Sequence, residues 1–205
     1  MIPEIGNFAL LVTLLLAVAL SVIPLVGAHL GKVAWMNLAR PLAYGHLVLL
    51  TLSYAALTWA FVHHDLSVTY IANHSHIDLP LIYKISGVWG GHEGSLLLWV
   101  LTLAGWIAAV ARFSQSLPLP VVARVLAVMG FVSIGFLSFT AFTSNPFERL
   151  LPAALEGQDL NPLLQDPGLI FHPPLLYMGY VGFAVAFGFA VAALLDGRVD
   201  AQWVR

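Results

Sequence analysis

The sequence contains no cysteine. The chain therefore forms no disulfide and offers no thiolate to a metal or a substrate, so any thiol chemistry belongs to a partner. Charge is nearly as scarce, at 9% of residues against 60% hydrophobic ones, where soluble domains average about 25% charged residues. With a mean hydropathy of +0.91, the composition excludes a water-soluble fold. No Lys or Arg precedes Lys32, so the first apolar stretch lacks the basic flank of a secretory leader and is expected to be a retained span. There is no phosphate-cradling glycine loop and no basic run, which excludes nucleotide and nucleic-acid partners at this level.

What the sequence does have is five charge-free runs, lying between Glu4 and Lys32, Arg40 and Asp65, Glu93 and Arg112, Arg124 and Glu148, and Asp166 and Asp196. Each accommodates a helix of about 17–25 residues, the length that crosses a bilayer. The expected fold is an all-α integral membrane protein, one membrane domain over 1–205, with spans at about 8–28, 41–62, 95–111, 125–143 and 174–195.

The basic residues then separate by side. Lys32, Arg40, Arg112, Arg124, Arg198 and Arg205 fall on one face, and only Lys84 and Arg149 on the other. The positive face is expected to be cytoplasmic, which puts the N-terminus in the periplasm and the C-terminus in the cytoplasm. External loops then occupy 63–94 and 144–173. Loops of this length inside a compact protein are usually functional. In the first, Ser67 to Ala72 (SVTYIA) has strand-like content, and Leu79 to Trp89 is apolar enough to lie along a membrane surface. In the second, Pro146, Pro152, Pro162, Pro167, Pro173 and Pro174 prevent long helices.

The residues able to carry chemistry are mostly histidines and tryptophans. His172 stands in Phe171-His172-Pro173-Pro174, immediately before the fifth expected span. A neutral imidazole among aromatics at a membrane surface suits axial ligation of heme iron; the competing reading is an imidazole that bonds free backbone groups at a helix entry. Trp89 to Trp106, WGGHEGSLLLWVLTLAGW, holds three of the six tryptophans. Trp99 and Trp106 share a helix face, and Gly90, Gly91 and Gly94 allow backbone N–H groups to approach a flat ligand; an interfacial tryptophan belt or ordinary helix packing is the alternative. His92 and Glu93 suit a propionate contact or a proton relay, with helix capping the stronger reading for Glu93. His63, His64, His74 and His76, with Asp65 and Asp78, carry enough nitrogen and oxygen for a zinc or copper site, though their spacing is irregular. His46 lies inside the second span, where it is either functional or bonded to a neighbouring helix.

Two long motifs in order, WGGHEGSLLLWVLTLAGW and LNPLLQDPGLIFHPPLLYMGYVG, with MIPEIGNFALL before them and TSNPF between them, closely resemble the Ccm-type cytochrome c heme lyases, the CcmF family. The resemblance implies a role in cytochrome c maturation in the bacterial cytoplasmic (inner) membrane, with heme as cofactor. It implies that His172 is one of two external histidines that ligate heme iron, and that the tryptophan-rich segment, with Trp89, Gly90, Gly91, His92, Glu93, Gly94, Trp99 and Trp106, handles the heme. The implied partners are a heme chaperone, the CxxCH segment of an apocytochrome c, other heme lyase subunits and a C-terminal remainder of the lyase. That the substrate brings both thiols agrees with the absence of cysteine here. Family members are several times longer, so this chain alone is expected to be incomplete and inactive. A transporter or channel fragment and a docking subunit without heme are the rival readings.

Overall fold

The computed structural model describes residues 1–197; Arg198 and Arg205, used above to orient the chain, lie outside the described residues. The helices are α1 (Ile2–Leu30), α2 (Val33–Met36), α3 (Ala39–Val62), α4 (Thr69–His74), α5 (Leu81–Gly87), α6 (His92–Phe113), α7 (Leu119–Phe142) and α8 (Pro167–Asp196), with a 3-10 turn at Pro162–Gln165. Among the described residues five stretches are long and apolar enough to cross a membrane, and each contains one of the five expected spans apart from its last residue at most. The chain is an all-α, multi-pass membrane protein.

These runs are helical because a bilayer offers no donor or acceptor, so every backbone group must be satisfied within its own segment. The ends are set by local chemistry. α1 stops at Gly31, φ 68°, and α8 at Gly197, φ 66°, left-handed positions that favour glycine. Inside the bundle, α1 packs against α3 and α7, α3 against α6, and α6 and α7 against α8. Close approach depends on small residues: a Cβ on Gly130 of α7 would lie 2.6 Å from the Ser21 hydroxyl of α1. The buried hydroxyls of Thr13 and Ser21 donate to the Ala9 and Ala17 carbonyls of their own helix, each at 2.7 Å, so neither is stranded in the apolar interior.

The segments between α3 and α6 and between α7 and α8 meet over the end of the bundle that carries Met1. Thr69 N–H donates to the Glu148 carbonyl (2.9 Å), Leu150 N–H to Ser67 (2.8 Å) and Gln158 N–H to Ala72 (2.7 Å). Arg149 adds an ionic link, from its Nε to Glu4 at 2.9 Å and from its Nη1 to Asp65 at 3.3 Å. The strand expected over Ser67 to Ala72 is corrected here: only Val68 pairs, with Arg149, and the chain turns into α4 at Thr69. A lone bridge has no third strand to extend it, and the helical turn buries Tyr70 and Ile71 instead. α5 exposes Leu81, Ile82 and Ile85 and buries Ser86 and Gly87, an apolar outer face of the kind expected along Leu79 to Trp89.

Candidate functional site

The turn before α6 is built around the hydroxyl of Tyr70, a residue 3% exposed. It accepts from Gly91 N–H at 2.9 Å and donates to the Val88 carbonyl at 3.1 Å. Burial raises the phenol above its ordinary pKa, which keeps the donor proton in place. Ser95 Oγ donates to the Trp89 carbonyl at 2.8 Å and closes the other side. The glycines of this turn lie against the protein's own atoms: a Cβ on Gly94 would sit 1.7 Å from the Val88 carbonyl oxygen, one on Gly91 2.5 Å from His74 Nε2, and one on Gly90 2.9 Å from Leu160. Tyr70 was not singled out from sequence, because its partners are backbone groups far along the chain.

All three tryptophans of the motif are half-buried, and each contacts another helix. Trp89 Nε1–H donates to the Ile170 carbonyl at 3.2 Å, and Trp106 Nε1–H to the Met178 carbonyl at 3.0 Å, both on α8. Trp99 stacks on Phe136 of α7, with centroids 3.7 Å apart and planes 29° off parallel. His92 is exposed at the start of α6, its Nδ1 2.7 Å from Ser144 Oγ and its ring edge-on to Phe139 at 5.9 Å. Glu93 lies half-buried in the first turn of α6, where the helix dipole favours a carboxylate.

His172 is placed differently from the expected loop end. The helix starts at Pro167, not Pro174, so His172 lies in its second turn with Pro173 and Pro174 inside the helix. The signal was local: Asp166 Oδ1 accepts from Gly168 N–H at 2.7 Å as the N-cap, and Pro167 takes the first helical position. The His172 ring is exposed and engages in no hydrogen bond or ion pair among the described residues. Beside it on α8 stand Phe171, 63% exposed, Leu175, 67%, and Leu176, 52%, with open space over Gly179 one further turn along.

Three of the loop histidines bond locally. His63 Nδ1 lies 2.9 Å from the Trp59 carbonyl and its ring stacks on Trp59; His74 Nδ1 lies 2.9 Å from the Tyr70 carbonyl; His76 Nε2 lies 3.1 Å from Glu156. Among the described residues no three His, Asp or Glu side chains gather to hold a metal ion. The irregular spacing of the first loop thus brings no zinc or copper ligand set together among the described residues. His63 and His74 each set a ring nitrogen against a backbone carbonyl and His76 faces carboxylates, while the buried His64 Nδ1 has no hydrogen-bond partner among the described residues. His46 is fully buried, its Nε2 3.0 Å from Ser133 Oγ of α7, the neighbouring-helix bond weighed above.

Residues 89–203 match the family described as Cytochrome C assembly protein. The chain belongs to the cytochrome c assembly protein family. The matched stretch opens on Trp89 and includes α6, α7 and α8, the elements that hold the tryptophans and His172. This family member is 60% identical over 206 residues to the cytochrome c-type biogenesis protein CcmF of Pseudomonas aeruginosa, covering 100% of this chain and 31% of that one. It is 56% identical to the protein of the same name from Escherichia coli K12, covering 32% of its length. A solved structure titled Cytochrome c Heme Lyase CcmF superposes with a TM-score of 0.84 at 25% identity, over 100% of this chain and 32% of the other. The chain thus spans about a third of the length of the relatives it matches.

Proposed function

We propose that this chain forms the part of a heme lyase that holds heme at the outer face of the bacterial cytoplasmic membrane and presents it for thioether attachment to the CxxCH thiols of apocytochrome c. The observation that carries the reading is His172: an exposed imidazole with no hydrogen-bond or ionic partner among the described residues, on an apolar ledge, at the end of the bundle where both long connections meet. The ledge fits heme by its donor chemistry, since iron needs one free nitrogen lone pair and the porphyrin needs apolar walls. His172 would hold the iron, with Phe171, Leu175 and Leu176 as the apolar residues beside it. The bound heme supplies vinyl groups, across whose double bonds the substrate's S–H groups add.

The side of the membrane follows from charge. Lys32, Arg40, Arg112 and Arg124 lie toward the end opposite His172, and this excess of basic residues supports a cytoplasmic assignment of that end. This chain's contribution to the reaction is positional, because holding heme and peptide in one orientation turns an encounter into a near-unimolecular step. A heme chaperone would deliver to this face, and the rest of the lyase, with the second axial histidine, would close over it.

The test is the absorption spectrum of the chain purified from membranes after coexpression with its heme chaperone and the C-terminal remainder of the lyase. Heme present in the wild type and lost in His172→Ala, as removal of an iron ligand implies, is the expected result. Equal heme in both proteins overturns the reading.

A further inference from the structure

Proline has no N–H, so Pro173 and Pro174 leave the carbonyls of Leu169 and Ile170, four residues back, without their helical donors. The first turns of α8, which include His172, are thereby loosened from the rest of the helix at two adjacent rungs. The Trp89 indole supplies one missing donor from outside, 3.2 Å from the Ile170 carbonyl oxygen. Trp89 is itself anchored, because its carbonyl accepts from Ser95 Oγ and the turn around it is tied by Tyr70. Accordingly, we infer that Trp89 is a positioning residue for His172, setting the imidazole's orientation by replacing the backbone donor that Pro174 lacks. The tryptophan then acts through α8 rather than as a wall of the porphyrin site. The inference rests on the heme reading of His172 given above.

The pairing of an indole donor with a proline-made vacancy provides its own control. A substitution of Pro174 by alanine restores a backbone N–H at that position and makes the indole dispensable. The experiment uses the full chain in detergent, as wild type, Trp89→Phe, Pro174→Ala, the double variant and His172→Ala. Amide hydrogen exchange of the peptide around residues 168–177 is read without ligand, and hemin affinity is read by absorption titration. Trp89→Phe should speed exchange at the Phe171 and His172 amides and weaken hemin binding, each about fivefold, the ratio one lost hydrogen bond gives. Pro174→Ala in that background should return both to within about twofold of wild type.

Unchanged exchange in Trp89→Phe, or no rescue by Pro174→Ala, overturns the positioning role while leaving His172 ligation intact. Hemin binding that survives His172→Ala overturns the heme reading itself, a failure visible in that variant and not in the Trp89 pair.

Discussion

Trp106 donates its indole N–H to the Met178 carbonyl oxygen at 3.0 Å, and Gly182 lies directly against the indole ring. A Cβ at 182 would approach the ring to 3.3 Å, so a larger side chain there crowds the indole. Gly182→Leu should push the indole off the carbonyl and lower stability by about 1–3 kcal/mol, the usual cost of overpacking. Thermal unfolding in detergent checks this; a melting temperature equal to wild type would show that the indole contact contributes nothing to α8 docking.

Two glycines of α6 should behave oppositely. Gly94→Ala places a methyl 1.7 Å from the Val88 backbone carbonyl, whereas Gly105→Ala meets nothing within 4 Å. The first cannot be relieved by a side-chain movement, so the turn around Trp89 must open. Monodisperse protein recovered by gel filtration should collapse for Gly94→Ala and match wild type for Gly105→Ala.

Arg149 ties the second long connection to the first and to α1, through Asp65 and Glu4. The Arg149 side chain is 28% exposed, so solvent screens the pairs in part. Arg149→Ala should cost about 1–2 kcal/mol, and Arg149→Lys should recover less than half, because an ammonium cannot serve two carboxylates in a fork. Limited proteolysis within residues 150–160 should quicken in the same order; identical cleavage in all three proteins would contradict the tether.

His64 connects α3 to the first loop with φ 53°. Burial, followed by the positive charge of Lys84 and the nearby His76 and His63, holds its pKa below the ordinary 6.5. The fold therefore favours the neutral ring. Below pH 6.5 the unfolded chain takes up a proton that the fold resists, so this group's contribution is present at neutral pH and lost as pH falls. His64→Asn tolerates the left-handed backbone and removes the titration, so its melting temperature should drop less than wild type between pH 7 and pH 5.5. Parallel drops would assign the acid sensitivity elsewhere.

The span pattern was legible because lipid imposes a one-dimensional rule: twenty or so residues without charge must be helical. His172 was legible as an imidazole near a helix entry, either free to ligate or bonded to backbone groups, but its place in the second turn of α8 was not, because Pro173 and Pro174 were read as a helix start. Asp166 and Pro167 carry the true start in the same stretch, and the double proline falls early enough in the helix to be accommodated. The strand-like SVTYIA segment failed for a different reason. Its β-branched residues find a single partner in Arg149, and the burial of Tyr70 decides for a helical turn.

Composition and motif order by themselves determined that this is an all-α membrane protein of the cytochrome c assembly type, since hydrophobic runs and contiguous motifs are read along the chain. Only the tertiary structure decided what the motif residues touch. Trp89 and Trp106 reach carbonyls on α8 that lie 81 and 72 residues away, and Tyr70 ties a turn 21 residues on. Hydrogen bonds to backbone carbonyls leave no trace in the identity of the accepting residue, so which of them an indole or phenol meets depends on how the helices pack.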